Sequence, residues 1–132
     1  MVTKDDACWI IGLSAGAGIG VYLDGGWGVD ALVGRETRAH NDIDLFVQRG
    51  DYQRFVDLIA DEGFSEVAAS FTTEDHTVWQ DEAGRIGEVE VSCIDPESQL
   101  LFHLGYQHDE HDVHDVMLLC REYGFDVPEE YR

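Results

Sequence analysis

Two aspartates one residue apart, Asp42 and Asp44, are the side chains best placed to do chemistry in this sequence. On an extended strand they share one face at a separation of about 7 Å. Carboxylates at that spacing can share divalent cations, and Mg²⁺ takes oxygen ligands while keeping substrate phosphates in its shell. The chain carries 28 acidic residues, so a solvated edge with two surface acids produces the same pattern. Upstream, Gly25-Gly26 lies between an expected strand and an expected helix. Glycines there let backbone N–H groups approach a phosphate, and a helix N-terminus favours its charge; glycine pairs are equally common in plain tight turns. Arg35, Arg38 and His40 form a local basic segment between the two features. Phosphate binding explains that placement, and so does an exposed helix-to-strand connection. Glu88 and Glu90 share one face of a later strand. Either supplies a third carboxylate if the sheet sets that strand beside Asp42 and Asp44, and each is a surface acid otherwise.

The elements that must position these groups read as α-β-α-β-α-β-β-α-α. A first helix runs from Thr3 to about Ala15, with Ala7, Ile10 and Ile11 on one face and Gly16 and Gly18 stopping it. Ile19 to Leu23 is a short apolar strand, and Trp27 to Val33 a short helix ended by Gly34. Asp42 to Val47 alternates, with Ile43, Leu45 and Val47 facing one way and Asp42, Asp44 and Phe46 the other. Tyr52, Phe55, Val56 and Ile59 mark an amphipathic helix stopped by Gly63. Phe64 to Phe71 is ambiguous, an irregular strand being one reading, and His76 to Ile94 reads as a hairpin turning near Ala83-Gly84. Asp95-Pro96 caps a helix whose expected buried stripe is Leu100, Leu101 and Leu104. A last helix presents Val113, Val116, Met117 and Cys120, with Gly124 after it. The expected fold class is α+β: one domain over residues 1–132, a small mixed sheet with helices packed on one side and an open face on the other.

Composition narrows the partners. The formal net charge is −20, from 28 acidic and 8 basic residues. Such a chain repels nucleic acid and anionic membranes at long range, so neither is an expected partner. A high-salt cytoplasm that screens self-repulsion accounts for the acidity, and so does an acidic functional surface. No apolar run reaches membrane-spanning length and no secretory signal opens the chain, so the expected location is cytoplasmic. Cys8, Cys93 and Cys120 fit no zinc spacing and read as reduced, mostly buried thiols.

The stretch Tyr22-Leu-Asp-Gly-Gly-Trp-Gly-Val-Asp-Ala-Leu-Val-Gly-Arg35, followed by Arg38-Ala-His40-Asn-Asp42-Ile-Asp44, resembles the signature of the lincosamide nucleotidyltransferases. These belong to the nucleotidyltransferase superfamily with the polymerase-beta-like fold, next to the aminoglycoside adenylyltransferases. Gln99-Leu-Leu-Phe-His103-Leu-Gly-Tyr106, with Asp112 and Asp115 after it, is similar to a second family segment. The resemblance implies that Gly25 and Gly26 cradle a nucleoside triphosphate, ATP being the expected one. It implies that Asp42 and Asp44 bind one or two Mg²⁺ ions, and that Arg38, with His40 and Arg35, contacts phosphate oxygens. An acceptor hydroxyl then attacks the α-phosphorus and pyrophosphate leaves. The family's third carboxylate is an aspartate in a Leu-Asp-Ile type strand; the best match here is Val89-Glu90-Val91, which assigns that place to Glu90 as catalytic base or metal ligand. The long segment that related enzymes carry before the next helix is missing, since Ile94 runs straight into Asp95-Pro96.

Trp27 and Asp30 match the motif, with packing as the expected role for Trp27. His108, His111 and His114 sit at spacing that can gather a metal ion on a helix, although an exposed, acid-rich helix start explains them better. His103 reads as a hydrogen-bonded core histidine, and Asp112 and Asp115 as groups that help hold an acceptor. The expected acceptor is a small hydroxylated molecule, with lincosamide or aminoglycoside antibiotics as candidates. A protein or tRNA acceptor, or a nucleotide-binding module without chemistry, are the alternatives. A homodimer completing the acceptor pocket is a further expectation.

Overall fold

The computed structural model describes residues 1–64 and 80–132. The expected strand from Phe64 to Phe71 and the first residues of the expected hairpin, His76 to Trp79, lie outside the described residues but for Phe64 itself. Helix α1 (Lys4–Gly16) starts at Thr3, where Thr3 and Asp6 bond reciprocally to each other's backbone N–H. Strand β1 (Val21–Asp24) runs directly into α2 (Gly25–Val33), which Gly34 ends in the left-handed conformation. Strand β2 (Asp44–Val47) and a 3₁₀ turn (Arg49–Asp51) lead into α3 (Tyr52–Ala60). The hairpin β3 (Asp81–Ile86) and β4 (Val89–Ile94) precedes α4 (Pro96–Phe102) and α5 (Glu110–Tyr123).

The strands form one mixed sheet in the order β2-β1-β4-β3, with β1 antiparallel to β2, parallel to β4, and β3 antiparallel to β4. Alternation divides its faces. One face presents Leu23, Val91 and Cys93 to Ala7 of α1 and to Trp27 and Ala31 of α2, forming the main core. Beside it, Ile10, Ile19 and Phe55 bring α1 and α3 against Leu45 and Val47 of β2. A third cluster, Val29 with Leu118 and Leu119, docks α5 on α2. The opposite face carries Asp24, Asp44 and Phe46, and Phe102 of α4 stacks against Phe46, their ring centroids 6.2 Å apart.

Several expectations shift. The glycine pair is not a turn before the helix but its first residues, with Asp24 at the N-cap position. Asp42 lies just ahead of β2, not within it. The hairpin turns at Gly87-Glu88, where Gly87 has φ +60, and Ala83-Gly84 lie inside β3. Gly84 is needed there for closeness: a Cβ would stand 2.6 Å from Cys93 Sγ and 2.8 Å from Ala31 O. The buried side of α4 is Ser98, Gln99 and, at its C-cap, His103, whereas Leu101 is 58% exposed. On α5, Val113 and Met117 point outward while Asp115, Leu118 and Leu119 are buried. In both helices buried polar contacts have rotated the inward face: Gln99 Nε2 donates to Ile94 O, and Asp115 receives Arg38.

Candidate active site

A cleft of about 360 Å³ opens where the C-terminal end of β1, the start of α2, the loop before β2, the C-terminal end of α4 and the first turns of α5 meet. Gly25, Gly26, Arg38, His40, Asp42 and Asp44 all line it, so six of the eight sequence-predicted site residues converge. Each glycine makes room for a named neighbour. Gly25 has φ +61, and a Cβ on it would fall 2.1 Å from Asp44 Oδ2. A Cβ on Gly26 would fall 2.4 Å from an Arg38 guanidinium nitrogen and 2.6 Å from His40 Nδ1. The glycine pair therefore lets one carboxylate and two basic groups close over the first turn of α2, where unpaired backbone N–H groups point outward.

Buried carboxylates hold those basic groups. His40 is almost fully buried, and its Nε2 meets Asp30 Oδ2 at 2.7 Å. Burial pushes the Asp30 carboxyl up, but hydrogen bonds from His40 and Thr37 outweigh it and hold the group below its ordinary value. Thr37 donates its backbone N–H and its hydroxyl to Asp30, and His114 Nε2 reaches the same hydroxyl at 2.8 Å. Arg38 donates twice to Asp115 of α5, at 3.0 and 2.8 Å. The loop between α2 and β2 is thereby tied to both helices, which leaves His40 Nδ1 and the Arg38 edge beside Gly26. Trp27 packs in the core as expected, its Nε1 donating to Val2 O.

The carboxylates gather at the sheet end. Asp24 and Asp44 are direct partners across β1 and β2. Burial, then the like charges of Asp42 and Asp24, push the Asp44 carboxyl up to about 6, although its edge is open to the cleft. Burial raises Asp24 as well, against the Gly25 N–H and His103 that lower it. Asp24 Oδ1 is buried with no hydrogen-bond partner among the described residues. A divalent cation at this cluster would satisfy that oxygen and relieve the opposed charges, so the donor set fits Mg²⁺. Among the described residues no group of three or more His, Cys, Asp or Glu side chains is placed to hold a metal ion by itself.

Two predicted residues lie elsewhere. Arg35 binds Glu122 at 3.0 Å, in a different hollow beside Lys4 and Arg85, because Gly34 turns the chain away from the cleft. Glu90 stands opposite Arg85 on an exposed strand segment. Leu23 pairs with Cys93 in a parallel register, so Glu90 lies four residues, about 13 Å, down the strand from the level of Asp24. The three histidines also separate. His108 stacks on Tyr131, its Nε2 3.0 Å from Glu130 without hydrogen-bond alignment; His114 meets Thr37; His111 alone lines the cleft. Sequence reading passed over Asp24 as a site residue, though it directly precedes the glycines. It also left His103 in the core; the structure buries it to 6% exposure but sets it in the cleft lining.

The α+β fold, the glycine-opened helix start and the aspartates at the strand end define a nucleotidyltransferase. The model of the aminoglycoside-2''-adenylyltransferase family matches residues 8–77, and the chain belongs to that family. A lincosamide resistance protein of Staphylococcus haemolyticus is 26% identical over 87% of this chain and 92% of its own length. A 2''-aminoglycoside nucleotidyltransferase of Escherichia coli is 33% identical, over 52% of this chain and 45% of its own length. Among solved structures, the lincomycin-bound lincosamide adenylyltransferase LnuA superposes with TM-score 0.73 at 24% identity, covering 89% of this chain and 96% of that one. ANT(2")-Ia in complex with adenylyl-2"-tobramycin gives 0.75 at 17% identity, covering 92% and 89%. No described helix is long and apolar enough to cross a membrane.

Proposed function

We propose that this nucleotidyltransferase moves a nucleoside monophosphate from ATP to a hydroxyl of a small, amine-bearing antibiotic of the lincosamide or aminoglycoside class, releasing pyrophosphate. The observation that carries the reading is the cleft's division of charge. Its β1–α2 side offers Gly25, Gly26, Arg38 and His40 to an anion, with Asp24, Asp42 and Asp44 beside them for a metal ion, while Asp109 and Asp112 stand on the α5 side. A triphosphate suits the first wall, and a cationic acceptor suits the second.

Asp42 and Asp44 would hold Mg²⁺, with Asp24 behind them. When bound, the ion neutralises charge on the triphosphate and on the departing pyrophosphate. The chain's own groups orient the rest. The first turn of α2 presents N–H donors to phosphate oxygens, His40 is fixed by Asp30, and the Arg38 plane is fixed by its two bonds to Asp115. Such fixed donors cost no reorganisation as charge develops. Phe102 and Tyr106 supply apolar surface at the cleft edge for the flat or saturated parts of either substrate. A homodimer belongs to the same reading, because a second copy would cover the outward Leu101, Val113 and Met117; sedimentation velocity reads it.

The test is pyrophosphate release from ATP and from GTP with Mg²⁺, at low and high salt, over a panel holding lincomycin and tobramycin. Release that requires one acceptor, prefers ATP and vanishes in Asp42→Asn supports the reading. Nucleotide binding without release on any acceptor removes it.

A further inference from the structure

The reaction needs a group to take the proton of the attacking hydroxyl, and Glu90 stands outside the cleft. Most cleft acids and bases already have work. Asp115 is held by Arg38, His40 by Asp30, and Asp112 by Tyr106 and the Asp109 N–H. Asp42 and Asp44, with Asp24 behind them, are assigned to the cation in the reading above. His103 is different. Its Nδ1 is 2.7 Å from Gln99 O. A carbonyl oxygen only accepts, so Nδ1 carries the hydrogen. In the neutral ring Nε2 is then a bare lone pair, and it has no partner among the described residues. The side chain is 6% exposed and lines the cleft, so that lone pair faces the one place where solvent or substrate reaches it. Two anchors set the ring's position: the Gln99 bond, and Tyr131, whose hydroxyl donates to the His103 carbonyl at 2.6 Å. His103 shares the cleft lining with Asp24, Asp42 and Asp44, which places it beside the metal-binding end of the sheet.

We propose that His103, through Nε2, is the general base that accepts the proton of the acceptor hydroxyl, in the place the sequence assigned to Glu90. The inference rests on the nucleotidyl-transfer reading above. The acceptor O–H proton moves to Nε2 while the oxygen's electron pair forms the bond to the α-phosphorus. The bond from that phosphorus to the oxygen bridging toward the β-phosphorus breaks, and its electron pair leaves with pyrophosphate. The imidazolium then returns its proton to solvent. His111 also lines the cleft, but it sits half-buried in the first turn of α5 with no hydrogen bond to fix its ring.

Two measurements test this. Long-range ¹⁵N NMR on the wild-type protein reads the tautomer without any substrate; a neutral His103 ring protonated at Nδ1 and bare at Nε2 is expected, and a ring protonated at Nε2 overturns the proposal. Kinetics on His103→Asn, whose amide can still donate to Gln99 O, should show kcat lowered by about 100-fold or more. Acceptor KM and ATP affinity should change less than about threefold, because only the proton acceptor is lost. Imidazole in solution should restore part of the rate to His103→Ala and none to Asp44→Asn. A kcat within about threefold of wild type in His103→Asn contradicts the proposal. So does a loss that appears only in KM, a His103→Ala defect that imidazole leaves unchanged, or the same kcat loss in His111→Asn. If the wild type transfers nothing to any acceptor, the parent reading fails with it; if it transfers and His103→Asn is neutral, the base assignment alone fails.

Discussion

Asp24 and Asp44 face each other directly across β1 and β2, one at the N-cap of α2 and the other at the first residue of its strand. Like charges directly opposed on adjacent strands destabilise a sheet by roughly 0.2–1 kcal/mol. Asp24 makes no side-chain capping hydrogen bond at its N-cap position, and the adjacent Gly25 N–H only moderates the rise that burial imposes on its carboxyl. The pair therefore costs stability in the free protein and repays it when a cation binds. Asp44→Asn should raise the melting temperature of the metal-free protein at pH 8 while removing the Mg²⁺-dependent increase seen in wild type. Differential scanning fluorimetry with EDTA and with Mg²⁺-ATP checks both; a variant that melts lower than wild type in EDTA contradicts the account.

The pH dependence has a defined sign. Asp44 has a folded pKa of about 6 against an ordinary 3.8. A raised carboxyl binds more protons folded than unfolded in the window between those values. Its contribution to stability is thus fully present below about 3.8 and is lost as pH rises through about 6. Wild type minus Asp44→Asn isolates this one group from the other acids. In urea unfolding without metal, the difference should turn against wild type between pH 4 and pH 7. Mg²⁺ competes with the proton, so the Mg²⁺-dependent stabilisation should weaken below about pH 6. A difference that is flat over this range, with or without Mg²⁺, would mean that Asp44 is not crowded as described.

The glycine pair makes two separable predictions. Gly25→Ala meets both a left-handed backbone and Asp44 Oδ2 at 2.1 Å. It should cost roughly 1–2 kcal/mol from the backbone alone and displace the carboxylate, removing transfer. Gly26 has no positive φ, and its obstacle is the Arg38 guanidinium and the His40 ring. Gly26→Ala should therefore overpack the buried His40 and Arg38 contacts, costing roughly 1–3 kcal/mol, and weaken ATP binding by about tenfold, roughly one lost charge-assisted contact. Calorimetric titration of ATP against each variant, beside its melting curve, distinguishes the two. Equal and small effects of both substitutions would count against the placement of Asp44 and Arg38.

Arg38 and Asp115 predict a coupling across the chain. Asp115 is 2% exposed, so Arg38→Ala strands a buried charge and should cost about 3–5 kcal/mol. Removing both partners in Arg38→Ala/Asp115→Ala should recover a good part of that loss in a double-mutant cycle. Arg38→Lys should not restore the bidentate bond, since a lysine is a single point charge. Denaturant melts of the four proteins give the answer, and additive single effects would deny the pairing.

What the sequence revealed follows the range of the physics involved. The element order and the Asp95-Pro96 helix start were legible, because caps and breakers act over a few residues. So was the convergence of Gly25, Gly26, Arg38, His40, Asp42 and Asp44, which sit in a single local motif. The partner of Asp24 was not legible, since it is set by the β1–β2 register rather than by spacing. Glu90 shares the sheet face of Asp24 yet lies too far down β4, a matter of the Leu23–Cys93 register. The helix stripes misled where polar burial won: Gln99 and Asp115 turned inward, and Leu101, Val113 and Met117 turned out, whereas His103 is the hydrogen-bonded core histidine the sequence suggested. Gly84 imitated a hairpin turn because close packing on Ala31 and Cys93 demands the same residue that a turn does.

The most direct test of the central claim is mass spectrometry of the acceptor after incubation with wild-type protein, ATP and Mg²⁺, with Asp42→Asn in parallel. The account predicts lincomycin or tobramycin carrying one added adenosine monophosphate, with pyrophosphate in equal amount, and neither product from the variant. An unmodified acceptor beside ATP cleaved to ADP and phosphate, or an adduct that forms equally well in Asp42→Asn, would contradict it.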